Sequence, residues 1–178
     1  MRIIAGTLGG RQFSSPHGHR THPMSDKARG GLFNALGDIE GLQVLDAFAG
    51  TGALGYEALS RGAASVVAIE SDRSAQTTIA QNISDLGLST QIKLVKASAN
   101  AWLTFSNDVF DIALLDPPYD DLQLTLLTKL AERAKPGGVI VLSLPPTAEF
   151  ALPESSYELL KQKSYGDIQL VFYRRHRI

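Results

Sequence analysis

The segment Val44-Leu45-Asp46-Ala47-Phe48-Ala49-Gly50-Thr51-Gly52-Ala53-Leu54-Gly55 constrains the fold of this chain more than any other. An apolar run enters a glycine-rich turn, and a helical pattern leaves it. Glycines let a backbone approach a ligand closely, and the start of a helix offers free N–H groups. Gly50, Gly52 and Gly55 fit the G-x-G-x-x-G pattern, and Glu70 stands twenty residues past Gly50. An acid there, at the tip of the second strand, suits a ribose diol.

Around this turn the chain alternates. Strands are expected at Leu42–Ala47, Ala64–Ile69, Ile92–Val95, Phe110–Leu115 and Val139–Leu144. Helices are expected at Ala53–Ser60, Asp72–Leu86, Ala99–Phe105 and Leu122–Lys135, the last closed by the turn Pro136-Gly137-Gly138. Alternation of this kind implies an α/β fold with a mostly parallel, Rossmann-like sheet covered on both faces. Tyr157–Lys161 and Ile168–Arg174 follow with a short connection, Ser164–Asp167, so they should form an antiparallel hairpin at the C-terminal edge of the sheet. The first 37 residues read differently. Ile3–Ala5 and Arg11–Ser14 are short possible strands separated by glycines, residues 15–23 are loop, and a helix capped by Ser25 or Asp26 runs to Leu36. The expected organisation is a hairpin-and-helix arm (1–37) on a catalytic domain (38–178), a length that suits one domain with a small appendage. Trp102 and the phenylalanines are expected to pack the core.

Composition narrows the chemistry. There is no cysteine, which excludes a disulfide framework, a thiolate metal site and a cysteine nucleophile. The longest apolar runs are too short to span a bilayer, and Met1–Gly6 lacks the apolar stretch of a signal peptide, so a cytoplasmic protein without membrane attachment is expected. The net charge of −1 hides an asymmetry. Residues 1–30 carry +4 and residues 174–178 carry +3, which leaves −8 on residues 31–173. Basic ends on an acidic body suggest a polyanionic partner. His17, His19 and His22 have no carboxylate cluster near them in sequence, so no metal is expected.

Two residue groups carry the chemistry. Asp46, at the mouth of the glycine turn, would repel a pyrophosphate but attract a cationic amino-acid tail. S-adenosylmethionine offers an ammonium, a sulfonium and no phosphate, so it fits better than a nicotinamide dinucleotide. The second group is Asp116-Pro117-Pro118-Tyr119, directly after the strand Phe110–Leu115. The prolines make a stiff corner that has carbonyls and no N–H. The Asp116 carboxylate and the Pro117 carbonyl can accept the hydrogens of an exocyclic nucleobase amine, and Tyr119 can stack on the base. Both groups fall at the carboxyl ends of strands, where ligand sites of open α/β sheets gather.

With these motifs the chain resembles the class I S-adenosylmethionine-dependent methyltransferases, and within them the RsmD-type guanine-N2 methyltransferases of bacterial 16S ribosomal RNA. The resemblance runs through Met1-Arg2-Ile3-Ile4-Ala5-Gly6, Gly10-Arg11, Pro23, Ser25-Asp26, Leu32-Phe33-Asn34, the glycine turn, Glu57–Ala63 and the Asp-Pro-Pro-Tyr tetrad. The N-terminal stretch narrows the choice, because the tetrad is shared with amino-methylating enzymes of several substrates. The resemblance implies that Asp46, Gly50, Thr51 and Gly52 line the S-adenosylmethionine site and that Glu70 holds the ribose. It implies that Asp116, Pro117 and Tyr119 hold the guanine for catalysis, with S-adenosylhomocysteine as product and no metal. The residue that meets the adenine amine would be Ser98, with Asn100 as its rival. Arg2, Arg11, Arg20, His22, Lys27 and Arg29 would contact RNA, as would the run Arg174-Arg175-His176-Arg177. His22-Pro23-Met24 departs from the family's usual Arg-Pro-Thr. The implied partner is 16S rRNA within the small ribosomal subunit or an assembly intermediate, and the implied state is a monomer. An adenine-N6 methyltransferase acting on DNA or RNA is the alternative reading of the same tetrad.

Overall fold

Seven strands and five helices account for most of the described chain, residues 1–17 and 23–177 of a computed structural model. The strands are β1 (Gln43–Asp46), β2 (Ser65–Glu70), β3 (Ile92–Lys96), β4 (Phe110–Leu115), β5 (Ala134–Leu144), β6 (Tyr157–Tyr165) and β7 (Ile168–Arg175). The helices are α1 (Asp26–Leu36), α2 (Ala53–Ser60), α3 (Arg73–Asp85), α4 (Ala99–Phe105) and α5 (Leu124–Ala131). They build one sheet of order β3-β2-β1-β4-β5-β7-β6. Strands β1 to β5 are parallel, and β7 and β6 close the sheet antiparallel. The order reverses between β1 and β4, so their carboxyl ends flank the switch point where such sheets leave a crevice.

Both faces of the sheet are buried, and the two-residue period of the strands sorts the core. Val44, Val66, Ile112, Leu114 and Val141 pack to one side with α2, α3 and the N-terminal arm. Leu45, Ile69, Ala113, Leu115, Ile140 and Leu142 pack to the other with Trp102 of α4 and Leu126, Leu127 and Leu130 of α5. Trp102 is buried against Phe110, with ring centroids 6.1 Å apart.

Three local expectations are corrected. The helix expected to reach Lys135 stops at Ala131, and the chain re-enters the sheet at Ala134 opposite Phe110. Arg133 accounts for the early stop: its guanidinium donates to the Leu103 and Ser106 carbonyls and lies over the Trp102 ring, 5.1 Å from the centroid. Pro136-Gly137-Gly138 then lies within the bounds of β5, at a register shift against β4. The arm's two strands reduce to one antiparallel bridge, Arg2 with Gln12, flanked by the bonds Ile3 N–H to Arg11 O and Phe13 N–H to Met1 O.

The arm shares the main core. Ile3 and Phe13 are buried in the first cluster, and Phe13 meets Tyr56 edge-on. The Glu57 carboxylate of α2 accepts from the backbone N–H groups of Ile4 (2.9 Å) and Ala5 (3.1 Å) and pairs with Arg61 (2.8 Å). Among the described residues no helix is long and apolar enough to cross a membrane.

Candidate active site

The carboxyl ends of β2, β1 and β4 present Glu70, Asp46 and Asp116 side by side. β1 passes directly into the glycine turn, and Gly52 caps α2 at φ +84°. A Cβ at Gly52 would overlap the Tyr56 hydroxyl, so this position has room only for glycine. The turn is pinned from β2. Glu70 accepts from the Gly50 N–H at 2.7 Å with one carboxylate oxygen and from the Asp72 N–H at 2.8 Å with the other. Each oxygen retains a lone pair, so Glu70 can shape the turn and still accept from two vicinal hydroxyls. Thr51 is buried, and its hydroxyl accepts from the Ala53 N–H at 3.2 Å.

Asp46 is wholly buried, and neither carboxylate oxygen has a hydrogen-bond partner. Burial pushes its pKa up to about 8, and the charges of Asp116 and Glu70 push in the same direction; the nearby backbone of Phe48 and Gly55 offsets the rise only in part. A buried acceptor with no donor is costly in a finished fold and marks a place for an external donor. Glu70 and Asp116 beside the glycine turn, with Asp46 able to ionise next to a cation, favour a cationic ligand over a pyrophosphate. The orphaned Asp46, the glycine at 52 and the two-handed Glu70 fit S-adenosylmethionine.

Asp116 opens the corner after β4. Burial raises its pKa to about 6, and the Ser143 hydroxyl works against that rise. Ser143 is itself buried on β5, one position past Leu142, the residue registered with Leu115. Its hydroxyl also lies 2.7 Å from that of Tyr119. The hydroxyl therefore ties the two side chains of the tetrad together. One faint sign of it stands in the sequence, a lone serine within the apolar run Val139–Leu144. Pro117 is buried, and Tyr119 keeps 37% of its surface exposed, as a stacking platform requires.

Ser98 and Asn100 follow β3, whose last residue, Lys96, registers with Glu70 at the same end of the sheet. Ser98 caps α4, accepting from the Ala101 N–H at 3.1 Å, while Asn100 donates to Gln123 at 3.0 Å. Among the expected RNA contacts, Arg2 and Lys27 lie at the start of α1 and are exposed, Arg2 being 3.3 Å from Asp26. Arg29 is not available to RNA. Its side chain is 1% exposed; it donates to the Arg2 carbonyl (2.6 Å) and Asp26 (3.1 Å) and lies 3.5 Å from Glu57, so it serves to lock the arm onto α2. Arg11 donates to the Asp85 carbonyl at the last residue of α3, about 20 Å of helix away from the site end. Arg20 and His22 lie outside the described residues, as does His19. The C-terminal basic run is also misplaced for this site: Arg174 registers with Val139 at the opposite end of the sheet. Arg175 there donates to the Glu132 and Ala134 carbonyls.

Comparison with known proteins identifies the family and the fold. A family model described as "Conserved hypothetical protein 95" matches residues 1–174. "Ribosomal RNA small subunit methyltransferase D" of Haemophilus influenzae is 32% identical over 181 residues, 98% of this chain and 93% of that one. Its namesake in Escherichia coli is 31% identical over 179 residues, 98% and 90% of the two chains. The solved structure of yhhF from Escherichia coli superposes with a TM-score of 0.88 at 30% identity, covering 100% of this chain and 99% of that one. More remote is SMU.776, solved with SAH, whose TM-score of 0.69 at 14% identity reflects the fold alone. The chain belongs to the RsmD family of ribosomal RNA methyltransferases, on the class I methyltransferase fold.

Proposed function

We propose that this protein transfers a methyl group from S-adenosylmethionine to the exocyclic N2 amine of a guanine in small-subunit ribosomal RNA. The observation that carries the reading is the convergence of Asp46, Glu70 and Asp116 at the ends of three neighbouring strands, next to a stiff proline corner. Family membership supports rRNA as the substrate.

Asp46 faces the cationic end of the cofactor, Gly50 and Gly52 let the backbone close on it, and Glu70 takes the ribose hydroxyls. Bound there, S-adenosylmethionine supplies an electrophilic methyl carbon with a neutral thioether as leaving group. The Asp116 carboxylate and the Pro117 carbonyl accept the two hydrogens of the guanine amine and turn its nitrogen towards the methyl carbon; once methylated, the amine sheds one of these protons to Asp116 or to water. Tyr119 stacks on the base, with its hydroxyl held by Ser143. Near pH 7 Asp116, with its pKa of about 6, is mostly ionised and able to accept. The residues act by alignment, which contributes roughly 7–11 kcal/mol in favourable cases. An rRNA substrate places the reaction in the bacterial cytoplasm, and one chain holds every residue invoked.

The test is incubation of the protein with radiolabelled S-adenosylmethionine and small ribosomal subunits from cells that lack it, followed by nucleoside analysis. Label in N2-methylguanosine is expected. Label in N6-methyladenosine would replace guanine by adenine, and no label in RNA would refute the reading.

A further inference from the structure

An open groove of about 660 Å³ lies between the first turn of α1 and the tip of the β6–β7 hairpin. Ser25 and Lys27 line it from α1, and Lys163, Ser164, Tyr165 and Asp167 line it from the hairpin. Its position follows from the sheet. β7 runs antiparallel to β5, and Gln169 registers with Leu144, so the hairpin tip lies at the carboxyl ends of the parallel strands. The same end carries Asp116 and Tyr119. Ser143, whose hydroxyl meets that of Tyr119, registers with Leu170 of β7, two residues from the start of that strand, so the tip and the proposed guanine platform share this end of the sheet.

The groove has a firm floor. Gly31 of α1 meets the Tyr165 hydroxyl so closely that a Cβ there would overlap it. Tyr165 also packs on the main core, so the hairpin tip and α1 hold a fixed separation. Lys27 and Lys163 are both exposed, and they reach the groove from opposite walls. Among the described residues its one lining carboxylate is Asp167, at the hairpin tip. The nearby Asp26 is engaged by Arg2 and Arg29.

Small-molecule sites are mostly apolar and enclosing. This groove is open and mixed in lining, with a lysine on each wall and the Tyr165 ring between them, the pattern of a channel that tracks a nucleic-acid backbone. We propose that it carries the RNA strand flanking the target base, with Lys27 and Lys163 on successive phosphates. The inference rests on the proposed RNA methyltransferase activity and adds the hairpin, which no charge run in the sequence marked, as the second wall of the substrate path.

The test compares Lys27→Ala, Lys163→Ala and the exposed control Lys129→Ala on α5. Binding to unmethylated small ribosomal subunits is measured across a salt series, with S-adenosylmethionine affinity measured alongside. Each groove variant should bind subunits more weakly and lower the salt slope by about one, with cofactor affinity unchanged. Lys129→Ala should match the wild type. If wild-type protein methylates the subunits and the groove variants match Lys129→Ala in slope and affinity, the groove proposal is overturned. If wild-type protein neither binds nor methylates them, the underlying functional reading fails instead.

Discussion

The Tyr119 hydroxyl lies 2.7 Å from the Ser143 hydroxyl, so the end of β5 fastens the corner that follows β4. The same serine opposes the burial that raises the pKa of Asp116 to about 6. Removing it should raise that pKa further and release Tyr119. In the proposed reaction Asp116 accepts hydrogens as a carboxylate, so activity should fall on the acid side of its pKa. Ser143→Ala should move the acid limb of the kcat/KM profile to higher pH, and Ser143→Thr should move it little. Superimposable profiles for wild type and Ser143→Ala would remove the serine from the mechanism.

Asp46 couples ligand, charge and stability. Its native pKa of about 8 stands far above the value of 3.8 for an unperturbed aspartate. Between those values the native chain retains a proton that the unfolded chain releases, so this group's contribution to stability falls as pH rises through the interval. Asp46→Asn should therefore raise the melting temperature of the cofactor-free protein, more at about pH 7.5 than at about pH 5. It should also abolish S-adenosylmethionine binding. In wild-type protein a cation beside Asp46 draws the proton off, so binding near pH 7 should release up to about one proton. Calorimetry in buffers of different ionisation enthalpy measures that release. Identical heats in all buffers would show that Asp46 is already ionised.

Glu57 is the anchor of the arm. Its buried carboxylate holds two backbone N–H groups and faces the buried Arg29 and the partly buried Arg61. Breaking a buried pair from one side leaves an uncompensated charge, which costs about 3–5 kcal/mol. Glu57→Ala should lose stability of that order in urea, well beyond a surface substitution such as Glu158→Ala. A loss of less than about 1 kcal/mol would mean that the arm is held by its apolar contacts alone.

Much of the fold was legible because its signals are local. The glycine turn, the cap offered by Ser25 or Asp26, and the apolar runs set α1 to α4 and β1 to β4 to within about two residues, a usual boundary uncertainty. The end of α5 was not legible. It depends on Arg133 reaching carbonyls 27 and 30 positions away in sequence. The site was legible where residue type alone dictates chemistry, as in the acids at strand tips and the double proline. Arg29 was misread because its charge is visible in sequence and its burial against Glu57 is not. Ser143 was missed because its importance arises only when β5 pairs with β4.

The central claim is best tested in the cell. Modified nucleosides of small-subunit rRNA are mapped by mass spectrometry in three strains: one with this protein, one without it, and one complemented with Asp116→Asn. One N2-methylguanosine should vanish in the deletion, return with the wild-type chain and stay absent with the variant. An unchanged map in the deletion strain, or restoration by Asp116→Asn, would contradict it.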